Sequence, residues 1–124
     1  MTATGDVVLI GEPDQATNML YQRALGAAFT VIAASDEETM LDLLRTTPIV
    51  ALVLEPAIFA ASGWDGLATI SHMCTAQGIP LIVCSTLDER RRGIALGAAA
   101  YLVKPTLPAT LVATLRQVIG SGTL

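Results

Sequence analysis

The sequence predicts a doubly wound α/β fold, in which five parallel strands are covered by helices on both faces. Short apolar runs alternate with segments of helical periodicity, which is typical of a parallel sheet with right-handed crossovers. The third run, IVALVL at residues 49–54, contains no polar residue, as expected for a strand buried on both sides. Polar residues follow the apolar runs directly, at the sheet edge where folds of this class bind ligands.

The composition fits one domain over residues 1–124 and argues against several classes of protein. The chain is 52% hydrophobic with a mean hydropathy of +0.60, too apolar for disorder, yet no run reaches the ~18 residues that cross a bilayer. A net charge of −4 disfavours nucleic acid as a partner of this domain, because phosphates attract basic surfaces. With two cysteines, no CxxC pair and no cationic leader, we expect a cytoplasmic protein without membrane contact.

Each strand is predicted from an apolar run bounded by turn or helix signals. The five predicted strands are residues 7–10, 29–34, 49–54, 81–84 and 100–103. The last one is followed by Lys104 and Pro105, which interrupt the apolar run.

The helices are predicted from spacing and capping residues. The first follows Asp14, and its predicted buried face carries Met19, Leu20 and Ala24. Ser35 and Glu38 form a capping-box pattern at the start of the second helix, and Thr86 and Glu89 form another before the fourth. The third helix is predicted over residues 66–77, with Leu67, Ile70 and Cys74 in register. The fifth is expected to end at Gly120, leaving residues 120–124 as a flexible tail or linker stub.

Four polar residues stand at the carboxyl ends of predicted strands: Glu12, Glu55, Ser85 and Lys104. The carboxyl ends of parallel strands meet at one edge of a sheet, so these side chains are expected to converge on one crevice. The alternative is that each of them merely begins a solvated loop.

Several motifs resemble those of response-regulator receiver domains, the CheY-like modules of two-component signalling. ALGAAAYLVKP at residues 95–105 is similar to the family's glycine-alanine, aromatic and lysine-proline signature. GWDG at 63–66 resembles the turn that opens the third helix in that family. EPD at 12–14 resembles the family's acidic turn after strand one, and IPLIVCST at 79–86 resembles its strand four with the hydroxyl residue. The resemblance covers essentially the whole chain and implies a flavodoxin/CheY-like sheet with strand order 2-1-3-4-5.

The resemblance also implies site roles, residue by residue. Glu55 takes the place of the aspartate that accepts a phosphoryl group from a histidine kinase, and Glu12 that of an acidic residue that binds Mg²⁺. Ser85 and Lys104 occupy the positions whose side chains contact phosphoryl oxygens in the family. Tyr101 occupies the position of the aromatic residue that shifts on activation. The Lys104–Pro105 bond would be cis.

The sequence departs from the family pattern at the site itself. Gly11 replaces the first acidic residue and Glu55 replaces the aspartate, and the loop after Glu55 is longer and that after Ser85 shorter than in the family. Mg²⁺ requires carboxylate and water oxygens in near-ideal octahedral geometry, and a small displacement of the acceptor slows phosphoryl transfer strongly. We therefore expect at best weak Mg²⁺ binding by Glu12 and Glu55, no other cofactor, and no catalytic residue.

The preferred interpretation is a degenerate receiver, not an enzyme, that acts through protein contacts independent of phosphorylation. Glu55 then either mimics the phosphorylated aspartate and fixes one conformation, or is an inactive replacement. One alternative is a functional phosphoacceptor that takes phosphate from a histidine kinase with Mg²⁺. A small flavin- or nucleotide-binding protein is the third interpretation. It is disfavoured because the first turn, GEPD, is not a glycine-rich phosphate loop.

The expected partners are a histidine kinase or an output domain. A homodimer could form through the face of helix four, strand five and helix five, which includes Arg90, Arg91 and Arg92. The simpler interpretation is that these arginines lie on a solvated helix face. Residues 56–62 carry exposed-looking apolar side chains, Ile58 and Phe59, and are interpreted as a lid, a partner contact or a loop folded onto the core. Trp64 is either a partner anchor or a cap on the site loop, and His72 a solvated histidine.

Overall fold

The computed structural model describes residues 6–121, whose elements alternate along the chain. The strands are β1 (Val7–Gly11), β2 (Thr30–Ala34), β3 (Ala51–Leu54), β4 (Leu81–Ser85) and β5 (Ala100–Val103). The helices are α1 (Gln15–Leu25), α2 (Glu37–Thr46), α3 (Gly63–Gln77), α4 (Arg90–Ala95) and α5 (Pro108–Ser121), and a turn of 3₁₀ helix, Pro56–Ile58, follows β3.

The strands form one parallel sheet in the order β2-β1-β3-β4-β5, which confirms the predicted fold class. All four residues of the central strand β3 are buried, as its unbroken apolar sequence predicts. A cluster on one face of the sheet includes Leu9, Leu52, Met40 and Leu67. A cluster on the other includes Val8, Ile10, Tyr21, Leu25, Leu111 and Leu115. Among the described residues, no helix is long and apolar enough to span a membrane.

The prediction for the buried face of α1 was wrong. Met19 and Leu20 are 51% and 48% exposed, whereas Asn18, Tyr21 and Leu25 are buried. Asn18 faces inward because its amide donates hydrogen bonds to the backbone oxygens of Glu12 and Ala34, at 2.9 and 3.0 Å. A polar residue thus occupies part of the buried face, and hydrophobic periodicity alone does not predict it.

Neither predicted capping box forms. Asp36 caps α2, accepting a hydrogen bond from the backbone N–H of Thr39 at 2.8 Å, so the cap lies one residue after Ser35. The residue preceding α4 is Glu89, which makes no side-chain cap bond, and Thr86 is exposed. Aspartate is at least as good an N-cap as serine, so the local sequence favours Asp36 equally well.

Two helix boundaries also differ from prediction. α3 begins at Gly63, whose positive φ of 53° suits a residue without a Cβ, three residues before the predicted start at 66. α5 continues through Gly120 to Ser121, so the predicted end at Gly120 was wrong. Residues 122–124 of the predicted tail lie outside the described residues.

Both cysteines are buried free thiols, as predicted for Cys84. Burial raises the pKa of Cys74 to about 11. Burial also raises the pKa of Cys84, against hydrogen bonds with Tyr21 and Thr106 that lower it. Protonated thiols of this kind are apolar packing groups.

Candidate functional site

Three of the four polar residues at the strand ends meet in one buried cluster. The Lys104 ammonium donates hydrogen bonds to Glu12 Oε1 at 2.6 Å and to Glu55 Oε1 at 3.0 Å. The side chains of Glu12, Glu55 and Lys104 are only 3%, 8% and 14% exposed. The predicted convergence on one crevice is therefore confirmed for these three residues, which we call the Glu-Lys-Glu cluster.

The remaining carboxylate oxygens of this cluster bind backbone N–H groups. Glu12 Oε2 accepts from Asp14 N at 3.0 Å, and Glu55 Oε2 accepts from Ala57 N at 3.0 Å. Each of the four oxygens thus has a protein donor, and among the described residues no buried side-chain polar atom lacks a partner. Both carboxylates are therefore fixed in position by the chain itself.

The cluster keeps Lys104 charged. Burial lowers the pKa of Lys104, but the hydrogen bonds and charges of Glu12 and Glu55 outweigh that effect and raise its pKa above the ordinary value of 10.5. The ammonium compensates one of the two carboxylates. One negative charge of the Glu-Lys-Glu cluster therefore remains uncompensated.

The residues present fit Mg²⁺ poorly. Within residues 6–121, no group of three or more His, Cys, Asp or Glu side chains lies close enough to hold a metal ion. The ammonium of Lys104 bridges the two carboxylates that a cation would need, and Mg²⁺ would have to displace it from at least one of them. An ion that binds in near-ideal octahedral geometry finds no such set of oxygens here.

Gly11 faces the core and not the crevice. A Cβ added to Gly11 would lie 2.6 Å from Met40 Sδ and 3.2 Å from Leu54 Cδ1. Met40 is fully buried and belongs to the apolar cluster on that face of the sheet. Packing therefore closes the place where the family carries its first acidic side chain.

Ser85 and Tyr101 organise the loop after β4. Ser85 is buried, and its Oγ accepts a hydrogen bond from Leu87 N at 3.1 Å. The Tyr101 hydroxyl donates to Leu87 O at 2.7 Å and accepts from Glu89 N at 3.3 Å. The ring is 8% exposed, so Tyr101 points inward and holds this loop against the sheet. The cis bond between Lys104 and Pro105 is present as expected.

A cavity of about 350 Å³ opens beside the Glu-Lys-Glu cluster. Its lining residues include Glu55, Phe59, Trp64, Ser85 and Tyr101. The cavity thus brings Glu55, Ser85 and Tyr101 to one surface, while Lys104 lines a separate depression beside α1.

The loop at residues 56–62 folds onto the core. Ile58 and Phe59 are 5% and 2% exposed, so they are buried although they looked exposed in sequence, and the interpretation as a loop folded onto the core is confirmed for these two side chains. The physical reason is the approach of α3 to this loop: a Cβ on Gly66 would lie 2.7 Å from the Phe59 ring. The absence of a side chain at Gly66 lets Phe59 pack beneath the helix, and this makes Phe59 a wall of the cavity.

The other candidate residues lie at the surface. His72 is exposed, as predicted, and so are Arg90, Arg91 and Arg92. Arg92 lies 4.2 Å above the ring of Trp64, a cation–π contact that links α4 to the start of α3. Sequence reasoning named Phe59 within residues 56–62 but missed its burial beside Glu55. It also missed Asn18, whose buried amide donates a hydrogen bond to the backbone oxygen of Glu12.

Known structures share this architecture. The chemotaxis response regulator CheY4 of Vibrio cholerae superposes with a TM-score of 0.79 at 21% identity, over 91% of this chain and 98% of that one. A CheY-like receiver domain protein from Methanospirillum hungatei superposes with a TM-score of 0.83 at 16% identity, over 94% and 95% of the two chains. At these identities the similarity shows the fold.

Similarity in sequence extends to curated transcriptional regulatory proteins. The chain is 29% identical over 119 residues to the probable transcriptional regulatory protein SilR of Salmonella typhimurium, covering 93% of this chain and 51% of that protein. It is 30% identical over 113 residues to the transcriptional regulatory protein CpxR of Escherichia coli, covering 91% and 48%. The chain is a CheY-like receiver domain. This receiver spans about half the length of the curated relatives it matches, and no protein-family model matches it.

Proposed function

We propose that this receiver works in two-component signalling with a degenerate phosphoacceptor site, through protein contacts that do not require phosphorylation. The observation that carries the proposal is the ammonium of Lys104, which bridges Glu12 and Glu55 at 2.6 and 3.0 Å. Phosphoryl transfer depends on positioning and on a divalent ion that neutralises charge. Here a lysine occupies the position between the carboxylates.

The closed position at Gly11 supports the same proposal. A receiver that lost only its aspartate acceptor would keep room for the other acidic side chain. In this chain, Met40 and Leu54 fill that room, so restoring the acceptor alone does not rebuild a metal site.

We further propose that Glu55 fixes one constitutive conformation. Its carboxylate binds both Lys104 and Ala57 N, and Tyr101 is held inward by its hydrogen bond to Leu87 O. These contacts join the ends of β3, β4 and β5, and each is made without a phosphoryl group. A replacement without signalling consequence is the competing interpretation, and it predicts that Glu55→Gln leaves partner binding unchanged.

The functional phosphoacceptor is the second candidate. The retained placement of Ser85 and Lys104 near Glu55 favours it, since the resemblance gives those two positions the phosphoryl contacts, and Tyr101 keeps the place of the switch aromatic. It requires that Mg²⁺ or a phosphoryl group displace Lys104 from at least one carboxylate.

The proposed partners are a sensor kinase or an output domain, and a second copy of this chain. The exposed arginines of α4 and Ile94, which is 49% exposed, lie on the face proposed for dimerisation. The charge of that face is mixed, because Arg90 pairs with Asp88 at 3.2 Å.

Incubation with acetyl phosphate and Mg²⁺, followed by intact-protein mass spectrometry, tests the proposal. We expect no phosphoprotein from the wild-type chain, while a receiver with an aspartate acceptor, treated in parallel, gains the mass of one phosphoryl group. The Glu55→Asp variant is expected to stay unmodified, because Lys104 and the closed position at Gly11 remain. A stable wild-type phosphoprotein would establish the second candidate.

A further inference from the structure

The cavity beside Glu55 has unusually aromatic walls for this chain. The sequence contains two phenylalanines, two tyrosines and one tryptophan. Phe59, Tyr101 and the single Trp64 all line this one cavity. Apolar walls with a few convergent polar groups are typical of small-molecule sites, and a volume of about 350 Å³ lies within the range of such sites.

The polar lining of the cavity is acidic. Glu55 is the one charged residue among those that line it, together with the hydroxyl residues Ser85, Thr86 and Tyr101. Each Glu55 oxygen accepts a single protein hydrogen bond, and a carboxylate oxygen can accept a second. Lys104 compensates only one of the two carboxylates it bridges, so a cation at the cavity floor would lie beside a carboxylate that is not fully compensated.

A carboxylate surrounded by aromatic rings recognises organic cations. The faces of aromatic rings attract ammonium and guanidinium groups, and the attraction grows when water is excluded. The chain already uses this chemistry at the cavity wall, where the Arg92 guanidinium lies 4.2 Å above the Trp64 ring. Arg92 itself does not line the cavity.

We infer that this cavity binds a small organic cation of the alkylammonium class, with its charge at Glu55 and its alkyl groups against Phe59, Trp64 and Tyr101. The inference rests on the proposed function in one respect: Glu55 must carry a free carboxylate and not a phosphoryl group. Such a ligand would contact both Glu55 and Tyr101, the residues proposed to fix the conformation of the receiver. An anion is disfavoured by the uncompensated carboxylate, and a neutral apolar ligand makes no use of it.

Choline and its neutral analogue 3,3-dimethylbutan-1-ol test the inference on the wild-type protein. The two probes have nearly the same shape and differ in charge. Trp64 is the only tryptophan in the sequence and it lines this cavity, so tryptophan fluorescence reports on a cavity residue. With ionic strength held constant by NaCl, we expect choline to bind about tenfold more tightly than the neutral analogue. Equal affinities, or no fluorescence change with either probe, would overturn the inference.

Two charge-neutralising variants locate the binding contact. Glu55→Gln is expected to weaken choline binding about tenfold, measured by calorimetry. Glu38→Gln removes the same charge from an exposed site on α2 and is expected to leave affinity within twofold. Equal effects of the two variants would show that only net charge matters and would contradict the inference. If Glu55→Gln fails to fold by circular dichroism, the wild-type comparison of the two probes decides. Phosphorylation by acetyl phosphate is a separate readout, so failure of the proposed function is distinguishable from absence of choline binding.

Discussion

Replacing Lys104 by Met tests how strongly the Glu-Lys-Glu cluster holds the crevice together. The substitution keeps the apolar stem and removes the ammonium, leaving Glu12 and Glu55, at 3% and 8% exposure, without their shared counter-charge. Removing one partner of a buried ion pair costs about 3–5 kcal/mol. The Lys104 side chain is 14% exposed, so water reaches the vacated site, and we expect the lower end, about 3 kcal/mol.

Urea unfolding at pH 7, followed by circular dichroism, measures this loss of free energy. The double variant Glu55→Gln/Lys104→Met should recover part of it, because one buried carboxylate is then neutral; coupling of about 1–3 kcal/mol is expected for residues in contact. The pKa of Lys104 is raised in the folded state, so its contribution to the free energy of unfolding is complete below pH 10.5. That contribution is lost as the pH rises through the folded pKa. A loss under about 1 kcal/mol at pH 7, or no coupling, would refute the buried-cluster reasoning.

Three further predictions concern packing, capping and the buried thiol. Gly11→Ala should destabilise the fold by about 1–3 kcal/mol in urea unfolding, because the new methyl meets Met40 Sδ at 2.6 Å; an unchanged midpoint would contradict this. Asp36→Ala should cost about 1 kcal/mol and Ser35→Ala almost nothing, since only Asp36 caps α2; equal costs would restore Ser35 as the cap. Cys74, with its pKa raised from 9.0 to about 11, should lose roughly 2–3 kcal/mol of stabilisation as the pH rises from 9 to 11, and Cys74→Ala should remove that part of the alkaline loss.

Much of the fold could be predicted because its signals are local. The run that forms β3 contains no polar residue, and burial on both faces of a parallel sheet requires just that. The buried face of α1 could not be predicted from hydrophobic periodicity, because it includes the polar residue Asn18. The Asn18 amide is buried because it donates hydrogen bonds to backbone oxygens at the ends of β1 and β2. Such bonds depend on which strands are neighbours, which local sequence does not encode.

The sequence predicts which residues form the site, but it does not predict the packing contacts around them. Strand ends place Glu12, Glu55 and Lys104 at one edge whatever the loops do. The closure of the Gly11 position by Met40 and the burial of Phe59 under Gly66 depend on packing between distant segments. Ile58 and Phe59 therefore looked exposed in sequence, although both are buried and Phe59 lines the cavity.

Addition of beryllofluoride and Mg²⁺, followed by NMR of the Tyr101 ring resonances, tests the central claim most directly. Beryllofluoride is a phosphoryl mimic that binds a receiver only where the acceptor carboxylate and a divalent ion meet. If Lys104 holds Glu12 and Glu55 as the distances of 2.6 and 3.0 Å indicate, the Tyr101 resonances stay unchanged at saturating Mg²⁺. A Mg²⁺-dependent shift of these resonances would show that the crevice still accepts a phosphoryl group, contradicting the account.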